Sequence, residues 1–157
     1  MAALIEELTI TAELEAQRRG LQLTVGPVAA GLTIHADRHL MVSALTNLLQ
    51  NAFKFTRPHT QVSVRAIATA DRARIEIEDE CGGLPVGKVD DLFRLLNQSD
   101  NTRSGLGLGL GICRRAVEAN DGTVDVRDLP GKGCVFSVDL PRHDGPRESD
   151  ATFTRES

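Results

Sequence analysis

What this sequence does not contain narrows its function first. Of its 157 residues, 18 are Lys or Arg and 22 are Asp or Glu, for a formal net charge of −4, and the basic residues form no block. Gripping a nucleic-acid backbone depends on clustered cations, so no nucleic-acid partner is expected. Cysteines number only three, Cys81, Cys113 and Cys134, far apart and without CxxC or Cys/His spacing. Neither a disulfide framework nor a zinc site is expected from that spacing, and a reduced, cytoplasmic setting is. No apolar run approaches the roughly 20 residues of a membrane span. The opening "MAALIEELTI" also lacks the basic start and apolar centre of a secretory signal. A membrane anchor elsewhere in a longer parent protein stays open. Internal repeats are missing as well.

What is present fits one domain over residues 1 to 141, with 41% apolar content and length enough for a core. The remainder, "RHDGPRESDATFTRES" from 142 to 157, is nearly without apolar residues and reads as a disordered tail or linker. Residues 2 to 19 carry Leu4, Leu8 and Leu14 among polar residues, an exposed helix ended by Gly20. "LQLTV" (21 to 25) and "LTIHA" (32 to 36) alternate like strands of a hairpin or adjacent strands around "GPVAAG". Asp37 is a good N-cap for a helix to Phe55, with Met41, Leu45, Leu48 and Ala52 as its buried stripe and Pro58 beyond its end. Period-two alternation in "QVSVRAIATA" and "RARIEIED" predicts two antiparallel strands about a turn at Asp71. "VDDLFRLLNQ" reads as a short helix and "ICRRAVEAN" as a longer one capped by Gly122. "TVDVRDL" and "CVFSVDLP" then form a last hairpin around "PGKG". This order predicts an α/β sandwich, a mixed sheet with helices on one face.

Three stretches carry chemistry. In "TNLLQNAFKFT", Asn47, Asn51 and Lys54 stand at i, i+4 and i+7, along one helix face. The Asn51 amide oxygen suits a hard cation such as Mg²⁺, and Lys54 is a point charge for phosphate; a plain solvated face is the alternative. "IEIEDECGGLP" ends a strand in Asp79, which can accept from an exocyclic amine. There Gly82 and Gly83 let a flat ring approach the backbone, unless this is an ordinary strand-to-helix turn. "RSGLGLGLGICRR" passes into a helix, so its last glycines stand near an N-terminus that favours phosphate, while Leu106, Leu108 and Leu110 can fold onto the core. It is neither a Rossmann fingerprint, lacking the preceding strand, nor a P-loop, lacking Lys-Ser or Lys-Thr after the glycines.

Taken in order, "NLLQNAFKFT", "DECGGLP" and "GLGLGLGI" resemble the N, G1 and G2 boxes of the GHKL ATP-binding fold. The closest likeness is to the catalytic and ATP-binding domain of two-component sensor histidine kinases. The resemblance runs from about residue 4 to 141, with Phe93 as the F-box Phe and "GKGCVFSVDLP" closing it. It implies a two-layer Bergerat sandwich of about five strands on three helices, binding ATP and Mg²⁺ under a lid at residues 92 to 104. It makes Asn51 the Mg²⁺ ligand, Lys54 a phosphate contact, Phe55 a wall for the adenine and Asp79 the acceptor for its amino group. Gly83 lies at the ring, and Gly105, Gly107 and Gly109 wrap the triphosphate. Cys81, Leu84, Phe93, Ser104, Leu106, Leu108 and Leu110 complete the nucleotide-binding set, and Arg103 reaches the γ-phosphate or is a surface arginine.

Departures from the pattern carry information. Cys81 replaces the first G1 glycine, and either the next glycine takes over the turn or the thiol adds a redox property; a small inert side chain is the plainer reading. Hydrolysing relatives of gyrase and Hsp90 type carry Glu one turn before the magnesium Asn, where this chain has Asn47, an amide that takes no proton. The resemblance therefore implies phosphoryl transfer to an external nucleophile, with Asn47, Asn51, Lys54 and Arg103 as the catalytic set. None of His35, His39, His59 and His143 sits in a phosphoacceptor motif, so the acceptor His belongs to a dimerisation domain in the parent chain, with a response regulator as indirect partner. The isolated domain is expected to be monomeric. An anti-sigma-type serine kinase, a nucleotide-binding module without catalysis, and a purely structural interaction protein are the alternatives.

Overall fold

The computed structural model describes residues 1–83, 91 and 107–143. Three helices and five strands lie among them: α1 (Ala2–Arg18), β1 (Gln22–Val28), α2 (Arg38–Phe55), β2 (Gln61–Ala68), β3 (Arg72–Glu78), α3 (Gly107–Glu118), β4 (Thr123–Leu129) and β5 (Gly133–Pro141). The strands form one sheet in the order β1-β2-β3-β5-β4. Only β1 and β2 pair parallel; the other neighbours are antiparallel. This is the mixed sheet the sequence predicts.

Alternation decides which sheet face is covered. Val62, Val64 and Ala66 of β2, Ala73, Ile75 and Ile77 of β3, and Cys134, Phe136, Val138 and Leu140 of β5 are buried together with α1, α2 and α3 in one core. Register keeps these side chains in rows: Val64 pairs Ile77, Ile77 pairs Phe136, and Phe136 pairs Val126. A shift of one residue would turn each strand's apolar set to the other face. That other face is charged, with Arg65 paired to Glu76 and Arg74 to Asp139 across adjacent strands.

Helix α2 forms as the sequence predicts. Asp37 accepts the Leu40 N–H at 3.0 Å, and Met41, Leu45, Leu48 and Ala52 are each no more than 1% exposed. Burying a Leu contributes roughly 1.5–3 kcal/mol against about 1 kcal/mol for a cap, so packing rather than capping holds this helix. Helix α1 ends at Gly20 (φ 67°), whose neighbour Leu21 donates to Ala16 O at 2.9 Å. Its apolar stripe differs from the expected one: Ile5 and Ala16 join Leu4 and Leu8 in the core, while Leu14 is 55% exposed.

The expected pairing of 21 to 25 with 32 to 36, as a hairpin or as adjacent strands, is not formed. β1 runs on through Gly26 and Pro27 to Val28 and pairs in parallel with β2, with an irregularity between Val25 and Val28. Proline, having no N–H to give a ladder, is tolerated at such a bulge on an edge strand. Residues 32 to 36 contribute one bridge, Ile34 to Arg142, and His143 N–H donates to Thr33 O at 2.9 Å.

The end of α3 also differs in detail. Asp121, not Gly122, adopts the left-handed conformation (φ 58°). The N–H groups of Asp121 and Gly122 return to Glu118 O and Val117 O, a Schellman ending. Gly122 is needed for space, because a Cβ there would stand 2.6 Å from Asp139 O and 2.7 Å from Val117 Cγ1. Gly122→Ala is expected to lower stability by about 1–3 kcal/mol, the usual cost of overpacking, read as an earlier urea midpoint with unchanged slope.

Candidate nucleotide site

Period two carries the β3 pattern beyond its last residue. Ala73, Ile75 and Ile77 face the helices, and Asp79 is the next residue on that side, 2% exposed. Its Oδ1 accepts the N–H of Cys134 at 3.0 Å and that of Cys81 at 3.2 Å, and the Cys134 thiol donates to Oδ2 at 3.3 Å. The Asp79 N–H in turn donates to Cys134 O at 3.0 Å. A Cβ on Gly133 would stand 1.8 Å from Asp79 O, so only glycine admits this approach. Gly82 (φ 95°) and Gly83 (φ 90°) supply the left-handed turn that follows. Cys81 is not among the positive-φ residues, which is why a non-glycine fits there.

The polar stripe of α2 reaches the same end of the sandwich. Asn51 is 9% exposed, and its Nδ2 is the buried side-chain polar atom without a hydrogen-bond partner among the described residues. Asn47 is half-buried, and Lys54 and Phe55 are exposed, with the Lys54 ammonium 5.5 Å from the Phe55 ring centre. A Cβ on Gly109 would lie 4.0 Å from both Asn47 Cβ and Asn51 Nδ2, so the first turn of α3 stands beside the Asn47 side-chain stem and the Asn51 carboxamide. First-turn N–H groups lack acceptors within their own helix. The α2 end is tied to the Asp79 turn through Thr56, whose hydroxyl accepts the Glu80 N–H at 3.2 Å, and through Arg57 N–H to Glu80 O at 3.3 Å.

The structure thus brings Asn47 and Asn51 beside Gly109, and it ties the end of α2, which carries Lys54 and Phe55, to the turn that carries Asp79, Cys81 and Gly83. Leu110 is fully buried. Leu84, Phe93, Arg103, Ser104, Gly105, Leu106 and the side chain of Leu108, together with the expected lid, lie outside the described residues. Gly107 is the first residue of α3. Sequence reasoning missed Thr56, Gly133 and Cys134; the only signal for the last two was their place opposite Asp79 once β3 and β5 are paired in register. His35 and His143, rings 5.8 Å apart, line a depression of about 560 Å³ at the other end of β5.

Burial pushes all three thiols up from their ordinary range. Cys113 rises to about 12 by desolvation. Cys134 rises through burial and the adjacent Asp79 charge, and Cys81 through burial first and then its hydrogen bond with Asp79. The folded chain therefore keeps thiol protons that the unfolded chain releases above pH 9, and stability falls as pH rises from about 9 toward 12. Urea titrations across that window are expected to show the loss, and Cys113→Ala to reduce it.

The described residues thus form a two-layer α/β sandwich with a buried carboxylate just past the end of β3 and, where α2 meets the start of α3, a buried carboxamide with an unpartnered Nδ2. Residues 36–144 match the family of histidine kinase-, DNA gyrase B- and HSP90-like ATPases, and the chain belongs to that family. It is 32% identical over 127 residues to the alginate biosynthesis sensor protein KinB of Pseudomonas aeruginosa, covering 81% of this chain and 21% of KinB. It is 37% identical over 112 residues to the adaptive-response sensory kinase SasA of Prochlorococcus marinus (strain MIT 9303), covering 69% of this chain and 30% of SasA. The chain thus spans less than a third of either relative. Among solved structures, the catalytic domain of histidine kinase ThkA superposes with a TM-score of 0.77 at 23% identity, over 90% of this chain and 92% of that one. Full-length ShkA in complex with AMPPNP gives 0.76 at 28% identity, over 91% of this chain and 30% of ShkA. No described helix is long and apolar enough to cross a membrane.

Proposed function

We propose that the chain is the ATP-binding catalytic domain of a sensor histidine kinase. It positions Mg-ATP so that the γ-phosphate passes to a His on a dimerisation domain elsewhere in the parent chain, and from there to a response regulator. The observation that carries this reading is the Asn51 carboxamide, buried with one end unpartnered where α2 meets the glycine-started end of α3. A buried polar group without a partner is costly, and a ligand at this junction would satisfy it.

The residues fit the magnesium as well as the nucleotide. A half-turn of the carboxamide exchanges its two ends, so Asn51 can present its oxygen, the donor type that Mg²⁺ prefers. Bound there, Mg²⁺ would neutralise charge on the phosphate oxygens. Asp79 Oδ1 is committed to two backbone N–H groups, whereas Oδ2 accepts the Cys134 thiol and keeps lone-pair capacity for the adenine amino group. Phe55, exposed at the end of α2, offers a ring face for the adenine. Lys54, exposed at the end of α2, supplies a mobile cation for phosphate, and Arg103 a second. Gly105, Gly107 and Gly109 bring backbone N–H groups to the triphosphate without side chains in the way.

Asn47 separates transfer from hydrolysis. It stands one turn before Asn51, and its neutral amide cannot take a proton from water. The domain then acts by orientation and charge stabilisation, and the incoming nucleophile is a histidine rather than an activated water.

Mixed with its dimerisation domain, γ-labelled ATP and Mg²⁺, the chain is expected to place an acid-labile label on that domain while hydrolysing little ATP alone. Acid-stable label, or brisk hydrolysis by the chain alone, would overturn the reading. Asp79→Asn keeps an oxygen for the two N–H groups but loses the charge. It is expected to fold and to weaken ATP binding about tenfold to a hundredfold in calorimetry, in line with a charged hydrogen bond of about 1.5–3 kcal/mol. Asn51→Ala is expected to abolish the magnesium dependence of binding.

A further inference from the structure

Cysteines that look isolated in the sequence are brought together by the fold. Pairing of β3 with β5 continues past Glu78–Val135 to set Asp79 beside Cys134, and the turn that follows brings the Cys81 N–H back to the Asp79 carboxylate. One oxygen of Asp79 and the two Sγ atoms all lie within 4.8 Å of one another. Two sulfurs bound at about 2.3 Å to one zinc ion are at most ~4.6 Å apart, so small side-chain movements suffice to converge the three donors. Oδ1 is fixed by backbone N–H groups at 3.0 and 3.2 Å, which aims Oδ2 at the Cys134 sulfur.

We propose that Asp79, Cys81 and Cys134 form a binding site for a zinc-class divalent ion, entered from the half-buried Cys81 and completed by solvent in a fourth position. Two thiolates and a carboxylate select a borderline-soft ion over Mg²⁺. The crowding of negative charge around Asp79 that disfavours free thiolates, and with them disulfide chemistry, is the charge a dication offsets. Binding releases two protons: one ion, two thiols and a carboxylate give a dithiolate-carboxylate complex and two protons in solution, with charge balanced. The ion takes the place of the proton that Cys134 donates to Asp79. One consequence rests on the proposed function: if Oδ2 accepts the adenine amino group, the metal and ATP exclude each other, and zinc inhibits the domain at the base end rather than at the phosphates.

The test uses the full 157-residue chain, reduced and metal-free, titrated with cobalt(II) and then zinc. One cobalt per chain is expected, with sulfur-to-cobalt charge-transfer absorption and four-coordinate ligand-field bands. About two protons should be released per ion, and zinc should displace the cobalt. Cys81→Ala and Cys134→Ala should each lose the charge-transfer absorption, and the proton count on the unmodified chain reads the site even where a variant folds poorly. No stoichiometric binding, no proton release, or bands unchanged in Cys81→Ala would overturn the site. With free zinc buffered at a hundred times its dissociation constant, the apparent ATP dissociation constant should rise about 100-fold. Cobalt bound through both thiols with ATP affinity unaltered would leave the metal site standing and remove the adenine from Asp79.

Discussion

The bond between the Cys134 N–H and the Asp79 carboxylate is the contact on which this end of the molecule depends. At the end of β3 a side chain, not a main-chain carbonyl, accepts the N–H that the next strand offers. The Cys134 N–H is thereby satisfied without a carbonyl, while the N–H groups of Asp79 and Gly82 still reach Cys134 O and Lys132 O as the chain turns through Gly82 and Gly83. The same carboxylate is paired well enough to be buried, since unpaired charge in a core costs several kcal/mol. Glu80, the next residue, then donates its N–H to the Thr56 hydroxyl and accepts the Arg57 N–H, both at the end of α2. The turn that Asp79 holds thus ties the sheet to the end of the helix that carries Asn47 and Asn51.

The two sheet faces do different work. Helix-side rows such as Val64, Ile77, Phe136 and Val126 supply the stabilising burial. The cross-strand pairs of the open face involve arginines about 45% exposed, and such pairs contribute at most about 1 kcal/mol each. Their value lies in register: each sits directly opposite its partner, and a slip of one position would place like charges or apolar groups together.

Local patterns were legible in the sequence wherever the interaction is local. The hairpins β2–β3 and β4–β5 follow from alternation plus turn residues, and α2 follows from its stripe and its Asp37 cap. The order of the three glycine- and asparagine-bearing motifs was enough to indicate the family. What escaped is what register or long-range pairing decides. β1 finds β2 across an intervening helix, which no alternation over 21 to 36 reveals. Leu14 has the right spacing for a core position, but α1 turns Ile5 and Ala16 inward instead. Gly122 looked like the left-handed cap, whereas Asp121 takes that conformation and Gly122 yields to the crowding of Asp139. Cys134, Gly133 and Thr56 carry no motif of their own, and they matter only because strand pairing sets them beside the Asp79 turn.

The start of α3 has a consequence for when the site is formed. Gly107, Gly109 and Gly111 each weaken a helix by about 1 kcal/mol relative to alanine, so this first turn has little intrinsic tendency to wind. It is held by neighbours, the buried Leu110 and Cys113 on one side and the Asn47 stem and Asn51 carboxamide of α2 beside Gly109. Any anion seated on these N–H groups adds its own binding free energy to the winding of the turn. Occupancy by an anion and the winding of this turn would then be one equilibrium, each favouring the other.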